Sequence, residues 1–161
     1  MKWILRKPCA KRATLLRIPI SYAIVIYEVM VMTISQKTVL IIEDEADAAE
    51  LFAEMMRVSG FRVLKTSSSA PAITMMTAEK PDVVLLDVMM PDISGLDILR
   101  QMRADPVLTN IPVVVVSAKG MPADIKNGME AGASTYLTKP VGFLELKEAV
   151  ERALGSQSAA V

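Results

Sequence analysis

Three runs of uninterrupted aliphatic residues, 39–42, 83–86 and 113–116, recur between segments whose apolar residues follow a helical period. A run without polar alternation has both faces buried. Such strands belong to a parallel sheet covered by helices on each side. The stretches between them complete the pattern. Residues 46–58 carry Ala49, Leu51, Phe52, Met55 and Met56 at helical spacing and stop at Gly60. Residues 62–65 read as a shorter strand, and 70–79 as a helix with Pro71 in its first turn. Helices are expected over 94–103, 122–131 and 142–154, with a fourth strand over 112–116 and a fifth over 135–137. Five β–α units with right-handed crossovers leave few topologies. The α/β class is therefore expected: a doubly wound five-stranded parallel sheet in order 2-1-3-4-5, with helices on both faces. Its switch point falls beside strands 1 and 3, where ligands bind in such sheets.

Those two strands end in acids. Glu43-Asp44-Glu45 follows the first run, and Asp87 follows the third. Ser117 follows the fourth strand and Lys139 the fifth, so the four groups converge on one crevice. Together they supply a carboxylate nucleophile, oxygen ligands for a hard metal, a hydroxyl and an ammonium. Plainer roles exist for each. Asp87 can cap a turn, Ser117 can be an ordinary turn serine, and Lys139 can be a solvated lysine. Acids after the first strand suit a helix N-terminus, which is the reading for Glu45 and Asp47. The methionine pairs at 55–56 and 75–76 read as core filler.

Composition excludes several chemistries. The chain has no histidine and a single cysteine, Cys9. Ser-His-Asp catalysis, histidine metal sites, thiolate clusters and intrachain disulfides are therefore out of reach. No Gly-rich phosphate loop is present. Aromatic residues are only 4% of a 161-residue chain, so the core must be aliphatic and methionine-rich. Net charge is zero but uneven. Residues 1–36 hold six basic residues and one acid, for +5, and the remainder balances this at −5. The body carries no basic stripe, so no direct nucleic-acid binding is expected. Residues 1–36 form an N-terminal extension, basic at first and then apolar over 18–32. That apolar run contains Glu28, lacks a clear cleavage site and falls short of a membrane span. It reads as a poorly ordered extension or as translation assigned too far upstream, with Met32 a natural start. Residues 155–161 read as a tail, and no output domain is expected after Leu154. A cytoplasmic location is expected.

Residues 37–154 resemble a receiver domain of a two-component response regulator, of the chemotaxis-regulator type and flavodoxin-like fold. The resemblance rests on Glu43-Asp44, Asp87 with Met90-Pro91 and Gly95, Ser117-Ala118, and Lys139-Pro140. The intervals are 43 residues from Asp44 to Asp87, 30 to Ser117 and 22 to Lys139. The resemblance implies that Asp87 accepts a phosphoryl group from a phosphohistidine on a sensor histidine kinase or a histidine phosphotransfer protein. It implies Mg²⁺ held by Asp44, Asp87 and the Met89 backbone carbonyl, with Glu43 acting largely through water. It assigns Lys139 and Ser117 to phosphoryl oxygens and expects a cis Lys139-Pro140 bond. On phosphorylation Ser117 would move toward the phosphate and Tyr136 would turn inward. The surface over residues 122–152 would then change its affinity for a downstream protein target. A static half-buried Tyr136 is the plainer alternative.

Two positions depart from the usual pattern, Met89 and Lys119, which flank the route of hydrolytic water. An apolar Met89 implies a long-lived phosphoryl group. It also argues against a haloacid-dehalogenase-type phosphatase, which needs an Asp there. The remaining alternative is an interaction module that works without phosphorylation.

Overall fold

The computed structural model describes residues 36–91 and 93–155, together with Pro19. The expectations for the N-terminal extension and for the tail beyond Gly155 lie outside the described residues. Within them the chain alternates strand and helix: β1 Thr38–Ile42, α1 Ala46–Val58, β2 Arg62–Thr66, α2 Ser69–Glu79, β3 Val83–Leu86, α3 Gly95–Ala104, β4 Val113–Ser117, α4 Pro122–Glu130, β5 Thr135–Thr138 and α5 Phe143–Gly155. All neighbouring strands are parallel, in the order β2-β1-β3-β4-β5. This is the expected doubly wound sheet. None of the described helices is long and apolar enough to cross a membrane.

The aliphatic runs fold as they do because every residue of β1, β3 and β4 is buried. Alternate residues supply two separate cores. Val39, Ile41, Val83, Leu85, Val114 and Val116 pack against Phe52, Ala53 and Met56 of α1 and Leu146, Ala149 and Val150 of α5. Leu40, Ile42, Val84, Leu86, Val113 and Val115 pack on the other face against Met76, Ile98, Leu99 and Met102. Each such aliphatic side chain contributes roughly 1.5–3 kcal/mol on burial. Met56 and Met76 lie in these cores and Met55 and Met75 at their edges, as core filler should.

Several boundaries differ from expectation. Strand β4 begins at Val113 and runs through Ser117. Pro112 has no N–H, and it joins the ladder only through its carbonyl, which accepts from the Val84 N–H at 3.0 Å. Ser117 pairs in register with Thr138, so the serine is a strand residue and not a turn residue. Leu51 is 55% exposed, off the buried stripe of Ala49, Phe52, Ala53 and Met56. That stripe follows i, i+3, i+4, i+7, which leaves Leu51 on the flank. Phe143 and Leu144 likewise face outward at the start of α5.

Candidate functional site

The sheet ladder continues past the strand ends and fixes the backbone of each site residue. The Asp87 N–H donates to the Ile42 carbonyl at 2.9 Å, and the Glu43 N–H donates to Thr66 at 3.1 Å. The Lys139 N–H donates to the Ser117 carbonyl at 2.8 Å. Groups far apart in sequence are thus held on one rigid rim. Behind Asp87 the main chain passes so close to α3 that a Cβ on Gly95 would lie 2.1 Å from the Asp87 carbonyl oxygen. Only glycine fits there.

Carboxylate oxygens of Glu43, Asp44 and Asp87 lie within 4.8 Å of one another. Glu43 and Asp87 are 2% and 5% exposed, whereas Asp44 faces solvent. The Lys139 ammonium bridges the two buried acids, donating to Asp87 Oδ2 at 2.7 Å and to Glu43 Oε2 at 2.8 Å. It also stands 5.8 Å from the Phe52 ring centroid, within cation–π range. The Lys139-Pro140 bond is cis, as expected. Asp87 Oδ1 accepts the Met89 N–H at 2.8 Å, which turns the chain away from the strand.

Burial raises the Glu43 pKa, with the Asp87 charge adding to the effect and Lys139 opposing it. Burial works against the Lys139 charge, but hydrogen bonds to Asp87 and Glu43 outweigh it, so the amine is held above its ordinary value. Lys139 is therefore favoured as a cation among the carboxylates. Even so, the site is not satisfied. Glu43 Oε1 is buried and has no hydrogen-bond partner. An orphaned carboxylate oxygen beside two further acids is the donor set of a hard divalent cation. The residues present fit such an ion.

Ser117 is fully buried, and its Oγ accepts the Lys119 N–H at 3.2 Å. Tyr136 is half-buried, on the face of β5 that joins the second core. Its hydroxyl donates to the Lys119 carbonyl at 2.8 Å. Burial raises its phenol pKa, and a nearby Ser117 hydroxyl partly offsets this. The ring lies against Gly128 of α4. Met89 is about half exposed, and Lys119 is exposed. The chain brings Glu43, Asp44, Asp87 and Lys139 into direct contact or close range, and it links Ser117 to Tyr136 through the main chain of Lys119.

Two contributors had no sequence signal. The Lys119 main chain links Ser117 to Tyr136 through atoms that every residue has. Gly128 of α4 sits under the Tyr136 ring, and a single helical glycine does not announce what it faces. Arg103, outside the site, plays a structural part. It donates to the carbonyls of Thr109, Ile111 and Gly132, tying the chain after α3 to the end of α4.

The fold is a doubly wound sheet with an acid triad and a lysine at its switch point. The response regulator receiver domain model matches residues 39–151, and the chain belongs to that family, a signalling domain of two-component systems. It is 30% identical over 119 residues to the polar-differentiation response regulator DivK of Brucella ovis, covering 74% of this chain and 97% of that protein. It is 36% identical over 110 residues to the phosphate regulon transcriptional regulatory protein PhoB of Pseudomonas aeruginosa, covering 68% of this chain. The match spans about half of PhoB, 48% of its length. A putative response regulator from Chloroflexus aurantiacus superposes with a TM-score of 0.73 at 30% identity, covering 75% of this chain and 99% of that one. The receiver domain of a Pseudomonas aeruginosa sensor histidine kinase, crystallised with a magnesium ion in its active-site cleft, superposes at TM-score 0.70. It is 26% identical, over 75% of this chain and 99% of that one.

Proposed function

We propose that residues 37–154 are a receiver unit in which Asp87 accepts a phosphoryl group from a phosphohistidine on a sensor kinase or phosphotransfer protein. A carboxylate oxygen of Asp87 forms the new O–P bond as the P–N bond breaks, and the departing imidazole takes up a proton. The carboxylate is a weak nucleophile, so rate comes from positioning and charge stabilisation. The observation that carries this reading is the Lys139 ammonium, 2.7 Å from Asp87 and 2.8 Å from Glu43 beside the third acid Asp44. Lys139 is placed to exchange a carboxylate for a phosphoryl oxygen. Ser117 supplies a hydroxyl donor at the neighbouring strand end.

Asp44, Asp87 and the Met89 carbonyl would hold a Mg²⁺ ion, with Glu43 acting through water or through its unpaired oxygen. Such an ion neutralises charge between the acids and an incoming phosphoryl group. The domain would promote only its own phosphorylation and hydrolysis. Output would pass through Ser117 and Tyr136 to the surface formed by α4, β5 and α5. Supporting that surface as an output face, α4 presents Ile125 and Met129 to solvent, and Met121 at its N-cap is exposed too. The partners would be the phosphodonor protein and a downstream protein target.

Beryllofluoride with Mg²⁺ mimics an aspartyl phosphate and tests the reading by NMR. A switchable receiver shows shifts around Ser117 and Tyr136 that vanish in Asp87→Asn. A protein that shows none is an interaction module independent of phosphorylation.

A further inference from the structure

Helix α4 meets the rest of the domain in an unusual way. Gly128 is its one buried residue. Glycine is the poorest helix former after proline, so its place inside a helix asks for a reason. The reason is the Tyr136 ring. A Cβ at position 128 would stand 2.5 Å from Tyr136 Cδ2 and 2.7 Å from Cε2. The ring cannot simply step aside. Its backbone is fixed by pairing with Val115 in the sheet, and its hydroxyl is bonded to the Lys119 carbonyl at 2.8 Å. Lys119 in turn donates its N–H to Ser117 Oγ at 3.2 Å. One continuous chain of contacts therefore runs from Ser117, through both polar groups of Lys119, to Tyr136 and on to the backbone of α4.

We propose that Gly128 is the socket that admits the Tyr136 ring, and is thereby the positioning residue that couples the Ser117 strand end to α4. The proposal rests on the phosphoacceptor reading above. A packed ring holds the Lys119 peptide against Ser117 Oγ, and a Cβ at 128 removes the space that this arrangement needs. Interactions that differ between two positions of a side chain are what shift a two-state equilibrium. Filling the socket lowers the population of the packed ring, so it weakens any ligand whose bound state favours that ring position, in proportion to the population lost.

The test is a beryllofluoride titration with Mg²⁺, followed by NMR, on wild type, Gly128→Ala, Tyr136→Ala and the double variant. Gly128→Ala is expected to bind at least about fivefold more weakly than wild type, the lower end of ordinary coupling, and to lose the shift at the Lys119 amide. The double variant is expected to match Tyr136→Ala, because no ring remains to collide. In that background the alanine should also raise the unfolding midpoint, as it does in an unobstructed helix. Binding of Gly128→Ala at wild-type affinity overturns the proposal, as does a double variant weaker than Tyr136→Ala. If Gly128→Ala fails to fold, rescue of folding by Tyr136→Ala supports the socket, and failure of rescue overturns it. A wild-type protein that takes no beryllofluoride withdraws the phosphoacceptor reading, and this proposal with it. A responsive wild type with an equally responsive Gly128→Ala removes this proposal alone.

Discussion

Helices α1 and α4 are attached to the same sheet in opposite ways. Helix α1 drives Ala49, Phe52, Ala53 and Met56 into the core. Helix α4 buries only Gly128 and turns Ile125 and Met129 outward, with Met121 exposed at its N-cap. The first arrangement is costly to disturb, and it stands beside the acids, with Phe52 close behind Lys139. The second has little apolar burial to lose if it moves, which is what a surface that reports a signal requires. The chemistry is built on the tightly packed side, and the readout on the lightly packed one.

That contrast can be broken at graded strength. Phe52→Ala empties a fully packed position in α1 and should cost about 3–5 kcal/mol in urea unfolding. Lys139→Ala leaves Glu43 and Asp87 buried without their cation. Loss of one partner from a buried pair costs roughly 3–5 kcal/mol. Here about 1–3 kcal/mol is expected, because Lys139 is partly exposed and Glu43 can take up a proton. Millimolar Mg²⁺ should restore most of that loss, and a variant indifferent to Mg²⁺ would argue against a cation site. Met89→Asn should leave stability almost unchanged but shorten the life of the phosphorylated form several-fold, since an amide can orient water and a thioether cannot. Slower loss of phosphate in Met89→Asn would refute that role. The smallest effect belongs to α4. Met129→Ala should change stability by no more than about 0.5 kcal/mol. A cost comparable to Phe52→Ala would erase the distinction between the two helices.

Much of this was legible in the sequence because the governing features are local. Uninterrupted aliphatic runs announce strands buried on both faces, and acids directly after them mark the switch-point crevice. Asp87, Glu43, Asp44, Ser117 and Lys139 were all readable that way. Other features depend on what folding brings alongside. Leu51 looked like part of the α1 stripe, yet helical rotation puts it on the flank. Glu43 was expected to act through water, but the fold also gives one of its oxygens to Lys139 and leaves the other unpaired. Gly128 and the Lys119 carbonyl carried no signal, because one is defined by a missing side chain and the other by the backbone.

Everything proposed for this site depends on Asp87 being the phosphoacceptor. That role is tested most directly by incubating the full chain with acetyl phosphate and Mg²⁺ and mapping the product by mass spectrometry. The expected result is one added phosphoryl group, located on Asp87, absent when Mg²⁺ is chelated and absent in Asp87→Asn. Labelling that persists unchanged in Asp87→Asn, or no labelling of the folded wild-type protein, would contradict it.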